Sequence, residues 1–168
     1  MEGFLKQRGG YRKLRVYKLT EIIYDLTVCF VKKYIPANSR TRDQMEQAAR
    51  SGKQNIAEGS MASETSRETE IKLTNVAKAS LEELLLDYED YLRQNGLQQW
   101  EDGFPRKEAL VGYIRSEDFM RDPLKFADSY PAEEFCNLCI ALCYQASYLL
   151  HRLMEAQQRQ FLRDGGDT

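Results

Sequence analysis

Apolar residues recur along most of this chain at intervals of three and four, the spacing that lines one face of an α-helix. No stretch alternates at period two over a convincing length, so no sheet is expected. Over residues 11–35 the pattern is double. Val16, Leu19, Ile23, Leu26, Phe30 and Tyr34 fall on one line. Tyr17, Tyr24, Val28, Val31 and Ile35 fall on a second, roughly 130° away. One stripe suffices for a helix that packs into a bundle. The second needs another cover: a neighbouring subunit is the expectation, and a helix sunk deep in its own bundle is the alternative.

A second helix is predicted from about Thr41 to Glu58, after the stop at Pro36, with Ser39 or Thr41 as its cap. Its inner face is small, consisting of Met45, Ala48, Ala49, Gly52 and Ile56, which invites a close neighbour. Gly59 is placed to end it in a left-handed turn. A third helix follows a cap at Thr65 or Ser66, with Glu68 and Glu70 at the positive end of its dipole. Its core stripe runs through Leu73, Val76, Ala77, Ser80, Leu81, Leu84, Tyr88 and Tyr91, widened by Leu85, Leu86 and Leu92, to the end near Asn95-Gly96. Residues 97–130 break the pattern. Trp100, Phe104, Tyr113, Ile114, Phe119 and Phe126 lie there among Gly, Pro and charges, with a short helix expected near 106–115. A last helix spans about Ala132 to Leu162, its inner stripe made by Phe135, Leu138, Leu142, Ala146, Leu149 and Leu153.

These elements predict an all-α fold: one domain over 1–168, an up-and-down four-helix bundle with an aromatic-rich insertion between its third and fourth helices. Residues 1–10 read as a flexible basic N-terminus, hinged at Gly9-Gly10, and 164–168 as a tail. No apolar run approaches the roughly 20 residues that span a bilayer, and the first residues lack the apolar stretch of a signal peptide. A cytoplasmic protein with free thiols and no membrane partner is expected.

The net charge of −2 conceals a split. Residues 1–53 carry twelve Lys/Arg against five Asp/Glu, and residues 54–104 carry four against eleven. The basic third holds the best candidate binding surface: Arg12, Lys13, Arg15 and Lys18 near the start, with Lys6, Arg8, Phe4 and Tyr11 before or among them, and Arg42, Arg50 and Lys53 on the second helix. Cations grouped in this way suit phosphate groups. The plain alternative is a basic face that only pairs with an acidic one on another subunit.

Other chemistry is weaker. Cys136, Cys139 and Cys143 share one helical face, with His151 two turns on and Cys29 elsewhere. Thiols on adjacent turns without a loop do not readily close a metal tetrahedron, so packing is expected and no metal or cofactor is assigned. The carboxylates Glu82, Glu83, Asp87, Glu89 and Asp90 read as a solvated or partner-binding face. No phosphate loop follows Gly9-Gly10. No enzyme activity and no small-molecule substrate are expected.

The run Ala48-Ala49-Arg50-Ser51, then Asn55-Ile56-Ala57-Glu58-Gly59-Ser60, resembles the four-helix-bundle proteins encoded in intervening sequences of 23S ribosomal RNA genes. Glu70, Leu73, Ala77 and Ser80-Leu81-Glu82-Glu83-Leu84 look like that family's third helix, so the resemblance covers roughly 11–95. Tyr148-Leu149-Leu150 and the stretch from Gln157 to Gly166 are similar to the variant called the four helix bundle suffix domain. Gly52-Lys53-Gln54 depart from the family, which has an apolar residue, Pro and Ser there. The resemblance implies a ring-shaped homopentamer without established enzymatic activity. It also implies kinship with the accessory variability factor of diversity-generating retroelements, which binds a reverse transcriptase and nucleic acid through a basic outer surface. On this reading the chain is a homo-oligomeric scaffold that binds RNA, DNA or a reverse transcriptase, with a purely structural or protein-interaction module as the alternative. Tyr17, Tyr24, Val28 and Val31 would form the subunit interface. Asn55, Glu58 and Gly59 would be a structural motif, Asn55 and Glu58 acting as a polar clasp at the corner between helices 2 and 3.

Overall fold

The computed structural model describes residues 2–62 and 66–165, with side chains described over 12–59 and 66–165. The side chains of Phe4, Lys6, Arg8 and Tyr11, the cap candidate Thr65 and the tail residues 166–168 lie outside the described residues. Among the described residues six helices follow in order: α1 (Glu2–Tyr34), α2 (Arg40–Ala62), α3 (Arg67–Gln94), α4 (Pro105–Ile114), α5 (Glu117–Arg121) and α6 (Ala132–Arg163). There is no strand among the described residues, and no helix there is long and apolar enough to cross a membrane. α1 packs on α2 and α6, and α3 packs on the same two, so the four long helices close a cycle around one core. α4 leans on α6 and carries α5.

Local chemistry accounts for the helix ends. α1 is broken at Gly10, whose φ of 71° and ψ of −167° suit a residue without a Cβ. Ser66 caps α3, its hydroxyl accepting the Thr69 amide at 3.1 Å, with Glu68 and Glu70 in the first turn. α3 ends at Asn95, followed by Gly96 at positive φ. In the insertion, Ser116 caps α5 by accepting the Phe119 amide. Trp100 ties the insertion to α6: its indole N–H donates to Glu133, and its backbone N–H donates to Asn137. Asn137 in turn donates to the Gln98 and Glu133 carbonyls.

α1 corrects one expectation. Val31, assigned to a subunit interface, is fully buried within its own chain, as is Ile35 nearly so. Tyr17, Tyr24 and Val28 are half-buried, and the two tyrosines pack against the core. The end of the second stripe at Val31 and Ile35 is therefore covered within the chain, while Tyr17, Tyr24 and Val28 keep partial exposure. α2, for its part, packs closely on α3 through its small inner face. A Cβ at Gly52 would lie 2.7 Å from the Leu81 Cδ2, and one at Gly59 would lie 3.5 Å from the Leu73 Cβ. Gly59 accordingly serves close approach to α3 and not helix termination, since α2 continues to Ala62.

Asn55 clasps α2 to itself and, through Ser51, to α3: it donates to the Ser51 carbonyl and hydroxyl, and the Ser51 hydroxyl lies 2.7 Å from that of Ser80. Glu58 points to solvent and takes no part in that clasp. Val76 and Leu86, both expected on the core side of α3, are exposed. At the centre, the buried Tyr88 hydroxyl lies 2.8 Å from that of Thr27 and also reaches the Cys139 thiol, which ties α1, α3 and α6 together.

Candidate nucleic-acid interface

One end of the cycle gathers cations from three helices. The start of α1 supplies Arg12 and Lys13, the first turn of α3 supplies Arg67, and the end of α6 supplies Arg159 and Arg163. They line a cleft of about 710 Å³ together with Glu70, Gln157 and Gln160. Few carboxylates offset them. Lys13 is only 4% exposed, and its ammonium lies 2.6 Å from a Glu70 oxygen that also accepts the Gln157 amide at 2.8 Å. Arg67 is paired with Asp164 at 2.8 Å. Among the described residues Arg12 and Arg159 have no carboxylate partner, and Arg163 donates only to the neutral Gln160. The cleft therefore has a floor of satisfied ion pairs and a rim of guanidinium groups, which offer planar donor forks to phosphate oxygens.

The predicted basic set divides in two. Arg12 lines this cleft. Lys13 is removed from the contact surface by burial and by Glu70, a correction with a plain cause: its position on α1 faces inward, and its charge is held there by a partner. Arg15 is exposed and lines a neighbouring groove with Leu19, Arg115 and Tyr148, and Lys18 is exposed beside it on α1. The α2 cations lie elsewhere. Lys53 sits over the Tyr24 ring, 5.1 Å from its centroid. Arg42 is in the first turn of α2, next to the far end of α1, and Arg50 is exposed between them. Twenty-two residues of helix separate Arg12 from Tyr34, roughly 33 Å at 1.5 Å per residue, so Arg42 does not share the cleft. Arg67, Arg159 and Arg163 were not anticipated. Arg159 and Arg163 are four apart on the last helix, but nothing in the linear pattern brings them to Arg12.

The remaining candidates resolve into packing. Cys136, Cys139 and Cys143 are buried in the core, and burial pushes all three thiols up, Cys139 to about 12. They stay protonated at neutral pH and poor as ligands or nucleophiles. No group of three or more His, Cys, Asp or Glu that could hold a metal occurs among the described residues. His151 is exposed on α6, 3.8 Å from Glu155.

On the acidic face of α3, burial and the neighbouring Glu83 and Asp90 raise the Asp87 carboxyl to about 6, and its Oδ2 has no partner among the described residues. A carboxyl raised above its unfolded value of about 3.9 binds its proton more tightly when folded. Its effect is least unfavourable at low pH, and stability falls as pH rises from about 4 to about 6. Asp87→Asn should therefore stabilise the protein at pH 7.5 by about 1 kcal/mol, allowing for screening of a partly solvated group. The gain should shrink at pH 5. Urea unfolding at the two pH values measures it, and an Asn variant weaker than wild type at pH 7.5 would contradict it.

No protein-family model, curated protein or solved structure matches the chain.

Proposed function

We propose that this protein is a non-enzymatic, cytoplasmic helical scaffold that binds nucleic acid, or an enzyme acting on nucleic acid, through the arginine cleft at the meeting point of α1, α3 and α6. The four long helices are read as an up-and-down bundle and α4–α5 as its insertion, in line with the resemblance to the intervening-sequence family. The observation that supports binding is the convergence of Arg12, Arg159 and Arg163 from two helices, none of them ion-paired among the described residues, while the cleft's Glu70 is taken by Lys13. Buried, protonated thiols and a solvent-facing His151 assemble no nucleophile–base pair, which favours binding over catalysis. A mobility-shift series with RNA and DNA tests the proposal. Complexes that form at low salt and dissolve as salt rises are expected, and no complex at the lowest salt would refute it.

Self-association, as a pentamer or another closed ring, belongs to the same proposal. An apolar footing for it is offered by α3: Val76 and Leu86 are 44% and 60% exposed, beside Asp87, whose Oδ2 has no partner among the described residues, and the acidic residues that would face a basic neighbour. Light scattering should give a mass well above 19.5 kDa, and Leu86→Lys with Val76→Lys should return it to that value with helicity intact. A wild-type monomer would remove self-association and leave the cleft reading standing.

A further inference from the structure

A second feature of α6 stands apart from the arginine cleft. Tyr144 and Tyr148 are 53% and 59% exposed, four residues apart and hence on one side of the helix. Two large rings left wet side by side offer apolar faces to a flat partner. They do not stand on an open surface. Both line a groove of about 840 Å³ whose other wall is the insertion, with Trp100, Glu101, Asp102, Lys107, Val111 and Arg115; Lys107 is paired there with Asp102 at 2.8 Å, so the free cations lie at the Arg115 end. This groove opens into another of about 400 Å³, which shares Arg115, Gln145 and Tyr148 and adds Arg15 and Leu19 from α1.

The polar groups there have a direction. Arg15 and Arg115 are exposed and have no carboxylate partner among the described residues. Arg152 braces Tyr148, donating to its hydroxyl at 3.0 Å with its guanidinium 5.9 Å from the ring centroid. Gln145, between the two tyrosines in sequence and shared by both grooves, holds a buried side-chain oxygen with no hydrogen-bond partner among the described residues. That oxygen accepts; what it lacks is an N–H donor. Exposed rings, unpaired guanidiniums and an unused acceptor together fit a flat heterocycle that carries N–H groups and is strung on phosphate.

We propose that this groove holds a single-stranded segment of RNA or DNA, with bases stacked on Tyr144 and Tyr148 and the adjoining phosphates facing Arg15 and Arg115. A duplex keeps its base faces covered by their neighbours, so only an unpaired strand presents them to a ring. The groove also leads somewhere. Arg12 lies one turn before Arg15 on α1, so a strand leaving the tyrosines passes directly to the arginine cleft. The insertion thereby acquires a role, as the wall that turns a helix surface into a channel. This inference rests on the arginine-cleft reading and narrows it to a strand type.

The test uses the full-length protein and fluorescently labelled 12-nucleotide RNA and DNA of mixed sequence, single-stranded and as duplexes, read by anisotropy. The single strands should bind more tightly than the duplexes. Tyr144→Ala with Tyr148→Ala should weaken single-strand binding about ten- to a hundred-fold while duplex binding and helicity stay unchanged, and Tyr148→Phe should keep most of the affinity. A strand carrying 5-iodouridine should photo-crosslink to Tyr144 or Tyr148, since that coupling requires a stacked ring. Single-strand affinity unmoved by the double alanine variant, a preference for duplex, or equal losses on both would overturn the proposal. Arm by arm, the two readings fail differently. If both strand types bind and respond to Arg12→Glu with Arg159→Glu but ignore the tyrosines, the groove assignment falls and the cleft survives. If neither binds, both fall. Should an amphipathic helical peptide occupy the groove and nucleic acid not displace it, the groove is a protein site and the proposal is wrong.

Discussion

Glu70→Gln should destabilise the fold by about 3–5 kcal/mol, the range for removing one member of a buried ion pair. The Lys13 ammonium is almost wholly enclosed, and Glu70 is its only carboxylate among the described residues. Take the negative charge away and a cation stays out of water, in the company of Arg12, Arg67 and Arg163. The Gln157 amide, which now donates to Glu70, offers no compensation. The double variant Lys13→Met with Glu70→Leu should recover most of the loss, because replacing both partners leaves no uncompensated charge. Denaturant midpoints with unchanged slopes would measure this. A Gln variant within about 1 kcal/mol of wild type would show that the pair is as replaceable as a surface one. The pair also joins α1 to α3, with Gln157 joining α6, so its loss should loosen the geometry of the cleft rim before it unfolds the rest.

Reversing the rim, with Arg12→Glu, Arg159→Glu and Arg163→Glu together, should weaken RNA or DNA binding more than about a hundred-fold at 50 mM salt. These side chains are exposed and unpaired to carboxylates, so folding should be little affected. The salt dependence should fall at the same time. Three phosphate contacts account for a slope of about 2.7 in the logarithm of affinity against that of salt for duplex, and about 2.1 for single strands. A variant that lost affinity while keeping the wild-type slope would have lost something other than phosphate contacts. Arg42→Glu with Arg50→Glu makes the matched control, since those cations lie away from the cleft, and it should change neither quantity much.

Much of the helical layout was readable from apolar spacing, because each long helix shows its inner face in its own residues. Phe135, Leu138, Leu142 and Ala146 on α6 are buried as their period demands, and Ser66 caps α3 as its place before Glu68 suggests. What the spacing does not state is depth. The apolar arc on α1 shows which positions face inward but not how deeply each is covered: Val31 is fully buried while Tyr17, Tyr24 and Val28 keep partial exposure, and the close fit of α2 on α3, with Gly52 against Leu81, is set by a tertiary contact. Lys13 shows a signal that was present and outweighed. It lies eighteen residues, about five full turns, before the buried Val31, and so shares its inward line. Counting charges along the chain hid that direction. The cleft itself was out of reach, because Arg67, Arg159 and Arg163 meet Arg12 only after three helices have packed. Tyr144 and Tyr148 stood outside the inner stripe of α6 and were readable as exposed, but the wall they face comes from an insertion whose placement depends on Trp100 reaching Glu133 and Asn137.

The central claim is that the guanidinium rim meets phosphate. Its most direct measurement is the affinity of the unaltered protein for labelled single-stranded RNA, taken from about 50 to 200 mM salt. A straight line of log affinity against log salt with a slope near −3 is predicted, corresponding to about four or five phosphates neutralised. A flat line, or no binding at 50 mM, would contradict it.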